Sequence, residues 1–183
     1  MPPTDAELLD LAERVESRCR ETGWTLATAE SCTGGLVAHL LTEVPGSSAC
    51  FRGALVTYAN DSKVEVAGVP EATLASHGAV SAQVAVAMAE GARQRLRADV
   101  GIGVTGIAGP GGGTAAKPVG LTYVAVADAN GHDVRRYTWT EDRAGNKRAS
   151  AEAALILVLG RIGEGPGKVG PSDTTGSADA GPR

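Results

Sequence analysis

Residues 25–41, TLATAESCTGGLVAHLL, set the pattern that decides the fold. Thr25 to Ala29 reads as a short strand, and Thr33-Gly34-Gly35 opens a helix through Leu36, Val37, Leu40 and Leu41. Pro45-Gly46 breaks that helix. Upstream, Thr4 and Glu7 have capping-box spacing, and Leu8, Leu11, Ala12, Val15 and Cys19 form one helical stripe that Gly23 ends. Downstream the alternation repeats. Phe51 to Tyr58 carries strand-type residues and runs into a polar turn, Asn60-Asp61-Ser62, before another short helix. Pro70 to His77 is a further helical segment, and Ser81 to Arg97 is a long helix with Arg93, Arg95 and Arg97 in its last turns, the charge that suits a C-terminus. Val100 to Val104 is an apolar strand. Val119 to Ala127 and Val134 to Trp139 are two more, joined by the turn signal Asn130-Gly131, and Asp142 to Ile162 is a last helix.

Helices alternating with short apolar strands predict an α/β domain of three layers, α/β/α, with a mostly parallel (mixed) central sheet. The short link between the last two strands predicts an antiparallel pair there. Sites in such folds form where strand ends meet loops, here after residues 29, 58 and 104. The domain is expected over residues 1–163. From 164 to 183 the chain is poor in apolar residues and is expected to be a disordered tail.

Composition removes several classes of function. Lys plus Arg number 17 against 21 Asp plus Glu, a net charge of −4, so a basic nucleic-acid footprint is missing. Aromatics at 3% disfavour a stacking platform for single strands, and 25 glycines predict many close backbone approaches. Cys19, Cys32 and Cys50 are odd in number and lack metal-site spacing, so neither a disulfide framework, a metal nor a cofactor is expected. No apolar run is long enough for a signal segment or a membrane span, which predicts a cytoplasmic protein with no membrane partner. Small Ala/Gly-rich α/β domains often self-associate, and a homo-oligomer is expected.

Four features carry candidate chemistry. Ser31 and Thr33 follow a strand at the mouth of a helix, where a hydroxyl gains nearby helix N–H groups and Gly34 and Gly35 admit a close substrate. The spacing equally suits a plain helix cap, the commoner use. Cys32 is a rival nucleophile without a marked histidine partner, and a buried structural thiol explains it better. Lys63, in Tyr58-Ala-Asn60-Asp61-Ser62-Lys63, serves as a base only if a closed apolar pocket lowers its pKa by about three units, with the Tyr58 hydroxyl alongside. A solvated surface lysine is the simpler alternative. Gly101 to Gly106 spells GxGxxG, but inside a strand rather than after it, which makes a dinucleotide site a poor reading. Gly106 to Gly113 either cradles an anion or is a flexible connection. Arg143 either binds an anion with its planar fork or pairs with Glu141 or Asp142 on the surface.

The blocks AESCTGG (29–35), VTYANDSK (56–63), HGAVS (77–81) and VTGIAGPGGGTAAKPVG (104–120), in that order, resemble the CinA C-terminal domain family over about residues 5 to 162. Members include stand-alone amidases that hydrolyse nicotinamide mononucleotide to nicotinic acid mononucleotide and ammonia. The resemblance implies a small-molecule nucleotide substrate, Ser31 as nucleophile, Lys63 as its base and Tyr58 assisting. It implies substrate contacts from Glu30, Thr33, Gly34, Gly35, Asn60, Thr105, Gly106, Gly109, Gly111 and Arg143, with the Thr33–Gly35 backbone and Thr105 meeting the carboxamide and its oxyanion. The family's usual Gly-Asp-Arg before the last helix is Glu141-Asp142-Arg143 here, and an arginine four positions further is Lys147. The alternative is a non-catalytic nucleotide-binding or interaction module of the same family.

Overall fold

The computed structural model describes residues 1–164, so the expected tail falls outside the described residues apart from Glu164. Five strands form one sheet in the order β2-β1-β3-β4-β5: β1 Leu26–Glu30, β2 Phe51–Val56, β3 Val100–Gly106, β4 Leu121–Asp128 and β5 Gly131–Thr138. β1 pairs in parallel with β2 and β3, whereas β3–β4 and β4–β5 are antiparallel, giving the mixed sheet. The hairpin loop is Ala129-Asn130, one residue earlier than the turn signal suggested, because Asp128 already pairs with Gly131.

Helices cover both faces. On one lie α1 (Asp5–Thr22), α2 (Leu36–Glu43) and α6 (Arg143–Glu164), whose Leu8, Val15, Leu41 and Leu155 pack on Leu26, Ile102, Val104 and Val124. On the other lies α5 (Ala82–Arg95), with Val84, Met88 and Ala92 against Ala27 and Ala29, preceded by the short helices α3 (Asn60–Glu65) and α4 (Glu71–His77). α1 starts with the predicted Thr4/Glu7 capping box, and Ser81 is the cap of α5 rather than its first residue.

The GxGxxG stretch has a packing explanation. It forms β3, and a Cβ on Gly101 or Gly103 would overlap the Ala89 or Ala85 carbonyl oxygen of α5. Those glycines let helix and sheet approach closely, and no strand-to-helix phosphate turn exists there. Asn60-Asp61-Ser62 is likewise not a separate turn but the first turn of α3.

Parallel strands β2, β1 and β3 end at the same side of the sheet. The chain leaves β1 for β2 on one flank and then returns to β3 on the other, so the connections diverge around β1. A crevice is expected at that point, and the residues just beyond β1 and β2 carry the predicted chemistry.

Candidate active site

Ser31 immediately follows β1, and its N–H donates to the Val104 carbonyl at 2.9 Å, continuing the sheet ladder by one residue. Thr57, just past β2, donates its N–H to the Glu30 carbonyl at 2.8 Å. The chain then turns into α3, which sends Lys63 back toward β1. Lys63 Nζ lies 3.0 Å from Ser31 Oγ, 2.8 Å from the Thr57 carbonyl and 3.3 Å from the Tyr58 carbonyl. The side chain is only 1% exposed, so the solvated-lysine alternative is wrong. Burial pushes the ammonium pKa below its ordinary value, a nearby Cys32 charge acting the other way. Its hydrogen-bond partners are neutral oxygens, with no carboxylate among them. A lysine so placed is suited to accept a proton from Ser31.

Ser31, Lys63, Tyr58, Asn60, Thr105, Gly106, Gly109, Gly111 and Arg143 all line one cavity of about 270 Å³. Thr105 Oγ1 donates to the Ala79 carbonyl at 2.7 Å, which leaves its lone pairs to accept from a ligand. Arg143 spans the mouth: one guanidinium nitrogen donates to the Gly109 carbonyl at 2.7 Å and the other to the Tyr58 hydroxyl at 2.9 Å. Neither Glu141 nor Asp142 pairs with it, so the surface ion-pair alternative does not hold.

Four of the expected contacts, Glu30, Thr33, Gly34 and Gly35, lie outside that lining. Glu30 is fully buried, and its carboxylate accepts the N–H groups of Gly35, Val37 and Ala38 and the Thr28 hydroxyl. It is the anion that caps α2, a task for which Ser31 or Thr33 is the alternative left open by the sequence. The Gly34 N–H donates to the Ser31 carbonyl at 3.0 Å, so neither Gly34 nor Gly35 has an amide left for an oxyanion. Thr33 is buried, and its hydroxyl has no hydrogen-bond partner among the described residues. Gly34 and Gly35 serve the turn itself, at φ of 65° and 95°. Tyr58 is also differently disposed. It meets Lys63 through its carbonyl, while its ring is 62% exposed and its hydroxyl faces Arg143.

Cys32 lines the cavity but is buried, which pushes its thiol up to about 11, the behaviour of a structural cysteine rather than a nucleophile. Sequence reasoning missed the Thr57 carbonyl, since main-chain acceptors leave no residue-type signal. It also missed Ala79 and Val80 in the wall, although HGAVS (77–81) marked the segment.

Comparison with known proteins supplies the family. The model of the CinA C-terminal domain family matches residues 8–162. The chain belongs to the CinA C-terminal domain family. Relatives of this CinA domain include the nicotinamide-nucleotide amidohydrolase PncC of Escherichia coli, 47% identical over 83% of this chain and 93% of that protein. A CinA-like protein of Geotalea uraniireducens is 54% identical over 76% of the chain, and the matched part is 33% of that longer protein. The chain thus spans about a third of the length of such CinA-like relatives. Among solved structures, the competence/damage inducible protein CihA of Agrobacterium tumefaciens superposes with a TM-score of 0.81 at 42% identity, covering 90% of this chain and 99% of that one. The competence damage-inducible protein A of Klebsiella pneumoniae gives 0.84 at 30% identity, covering 87% and 99%. Among the described residues of the CinA domain, no helix is long and apolar enough to cross a membrane.

Proposed function

We propose that this CinA domain hydrolyses the carboxamide of nicotinamide mononucleotide to nicotinic acid mononucleotide and ammonia, with Ser31 as nucleophile and Lys63 as general base. The observation that carries the reading is the buried Lys63 Nζ at 3.0 Å from Ser31 Oγ, held by two carbonyls and without an acidic partner. The amidohydrolase name of the PncC relatives supplies the substrate.

Neutral Lys63 takes the Ser31 proton as Oγ bonds to the carboxamide carbon, whose oxygen becomes an oxyanion. The Cys32 N–H, which donates to no carbonyl or carboxylate of the described residues, is left to meet that charge. Lys63 then protonates the departing nitrogen, the C–N bond breaks, and ammonia leaves an ester on Ser31. Water attacks the ester, giving a proton back to Lys63, and Oγ leaves with it as the acid forms. Thr105 accepts from the carboxamide N–H groups, and Tyr58 holds Lys63 through its carbonyl and Arg143 through its hydroxyl.

A module that only binds nucleotides has no use for an amine buried against a serine. Ammonia release from nicotinamide mononucleotide separates the two. The wild-type protein is expected to release it. Ser31→Ala and Lys63→Gln are each expected to lose at least about a thousandfold in kcat/KM with folding retained. Binding without ammonia from folded wild type would leave only the module.

A further inference from the structure

A second cavity, of about 900 Å³, adjoins the first and shares Ala108, Gly109 and Arg143 with it. The inner cavity falls below the usual range for a whole drug-sized ligand, and the outer one lies well within it. Arg143 stands at the partition, tied to Gly109 and Tyr58.

The charges around the outer cavity are not balanced in the same way. Glu141 pairs with the Met1 ammonium at 3.3 Å, and Asp142 Oδ1 accepts the Gly145 N–H at 2.8 Å as the cap of α6. Arg148 pairs with Asp5 and the Pro3 carbonyl. Lys147 is half-buried and makes no hydrogen bond or ion pair with any described residue. Its Nζ hangs over the Gly34 turn, 3.7 Å from where a Cβ of that residue would stand. Arg143, one helical turn before it, is bonded only to neutral oxygens. Like charges at i and i+4 repel, and here they face one cavity in which neither is paired with a carboxylate, Asp142 being bonded to the Gly145 N–H instead.

We propose that Lys147, with Arg143, is the seat of a phosphomonoester dianion, so that the outer cavity takes the sugar phosphate while the inner one takes the ring and carboxamide. This deepens the amidase reading and rests on its choice of a mononucleotide. Arg143 bridges the two parts of the ligand. Lys147 lines the outer cavity and not the inner one, so it acts on the phosphate rather than on the carboxamide.

The test is calorimetric, on the Ser31→Ala protein, so that turnover does not interfere. Nicotinamide mononucleotide and nicotinamide riboside, which differ by the phosphate, are titrated into Ser31→Ala and into the same protein carrying Lys147→Met or Lys147→Arg, with folding checked by circular dichroism. The mononucleotide is expected to bind Ser31→Ala about ten- to a hundredfold more tightly than the riboside, the range of one or two charge-assisted hydrogen bonds. Lys147→Met is expected to remove most of that preference and Lys147→Arg to keep it, with riboside affinity the same in all three. A preference that survives Lys147→Met, or that is missing from the start, overturns the seat. Failure of the amidase reading looks different, since wild type would then release no ammonia while the preference for the phosphorylated ligand persisted.

Discussion

An amine that is to accept a proton must first lose its own, so the protonation state of Lys63 governs the pH response of the site. Burial lowers its pKa from the ordinary 10.5, and kcat/KM is expected to fall on the acid side, approaching tenfold per pH unit once the ammonium form dominates the free protein. A profile flat from pH 5 to 9 would remove Lys63 from the role of base. The same shift has a sign in stability. Between the lowered folded pKa and 10.5 the unfolded chain binds more protons than the folded one, so this lysine makes stability rise with pH across that window. Lys63→Met should abolish that slope in urea unfolding. That Ser31 and Lys63 come together was legible because hydroxyl, amine and glycine-rich blocks have a distinctive order along the chain. The burial of Lys63 was not. Sequence puts it at the start of a surface helix, just after the polar stretch Asn60-Asp61-Ser62, and only the β1 and β2 ends around it turn a surface position into an interior one.

At the scale of elements, a tight seam runs between α5 and β3. Gly101 and Gly103 leave room there only for the Ala89 and Ala85 carbonyls. Gly103→Ala forces a methyl into backbone that has no freedom to yield, and a loss of about 3 kcal/mol is expected, at the upper end for overpacking. The measurement is the urea midpoint with the slope unchanged. A stable Gly103→Ala protein would mean that α5 can slide. Both elements are legible in the sequence, as is the misplacement of the dinucleotide motif inside a strand, yet which carbonyl each glycine accommodates is not. Glu30 shows the same gap. An acidic residue beside a candidate nucleophile invites a substrate role, whereas its carboxylate bonds three amides at the start of α2. That arrangement depends on the angle between β1 and α2, which residue spacing leaves open.

For the molecule as a whole, buried ionisable groups pull the pH response in opposing directions. Glu16 on α1 is fully buried, and burial raises its carboxyl above the ordinary 4.5, with Cys50 and Arg20 partly opposing the shift. From 4.5 up to that raised value the folded state holds more protons than the unfolded, so stability falls as pH rises. Glu16→Gln is expected to flatten this fall and to unfold at a higher urea concentration than wild type at pH 8. An unchanged midpoint would show that the carboxylate is well accommodated. Layer order, helix positions and the antiparallel ending of the sheet were all readable from periodicity and loop length. Pairing across the sheet was not, because β1 finds β3 across some seventy intervening residues.

The ladder bonds that run on past the strand ends, Ser31 to Val104 and Thr57 to Glu30, have a consequence for how such a protein can change. The spacing of nucleophile and amine is inherited from the interstrand distance, a constant of every sheet. The segment between β3 and β4 that roofs the cavity holds no part of that pair. Chemistry and selectivity are therefore written in separable parts of the chain. An engineer, or natural variation, can recut the roof to admit another amide while the reacting atoms keep their distance.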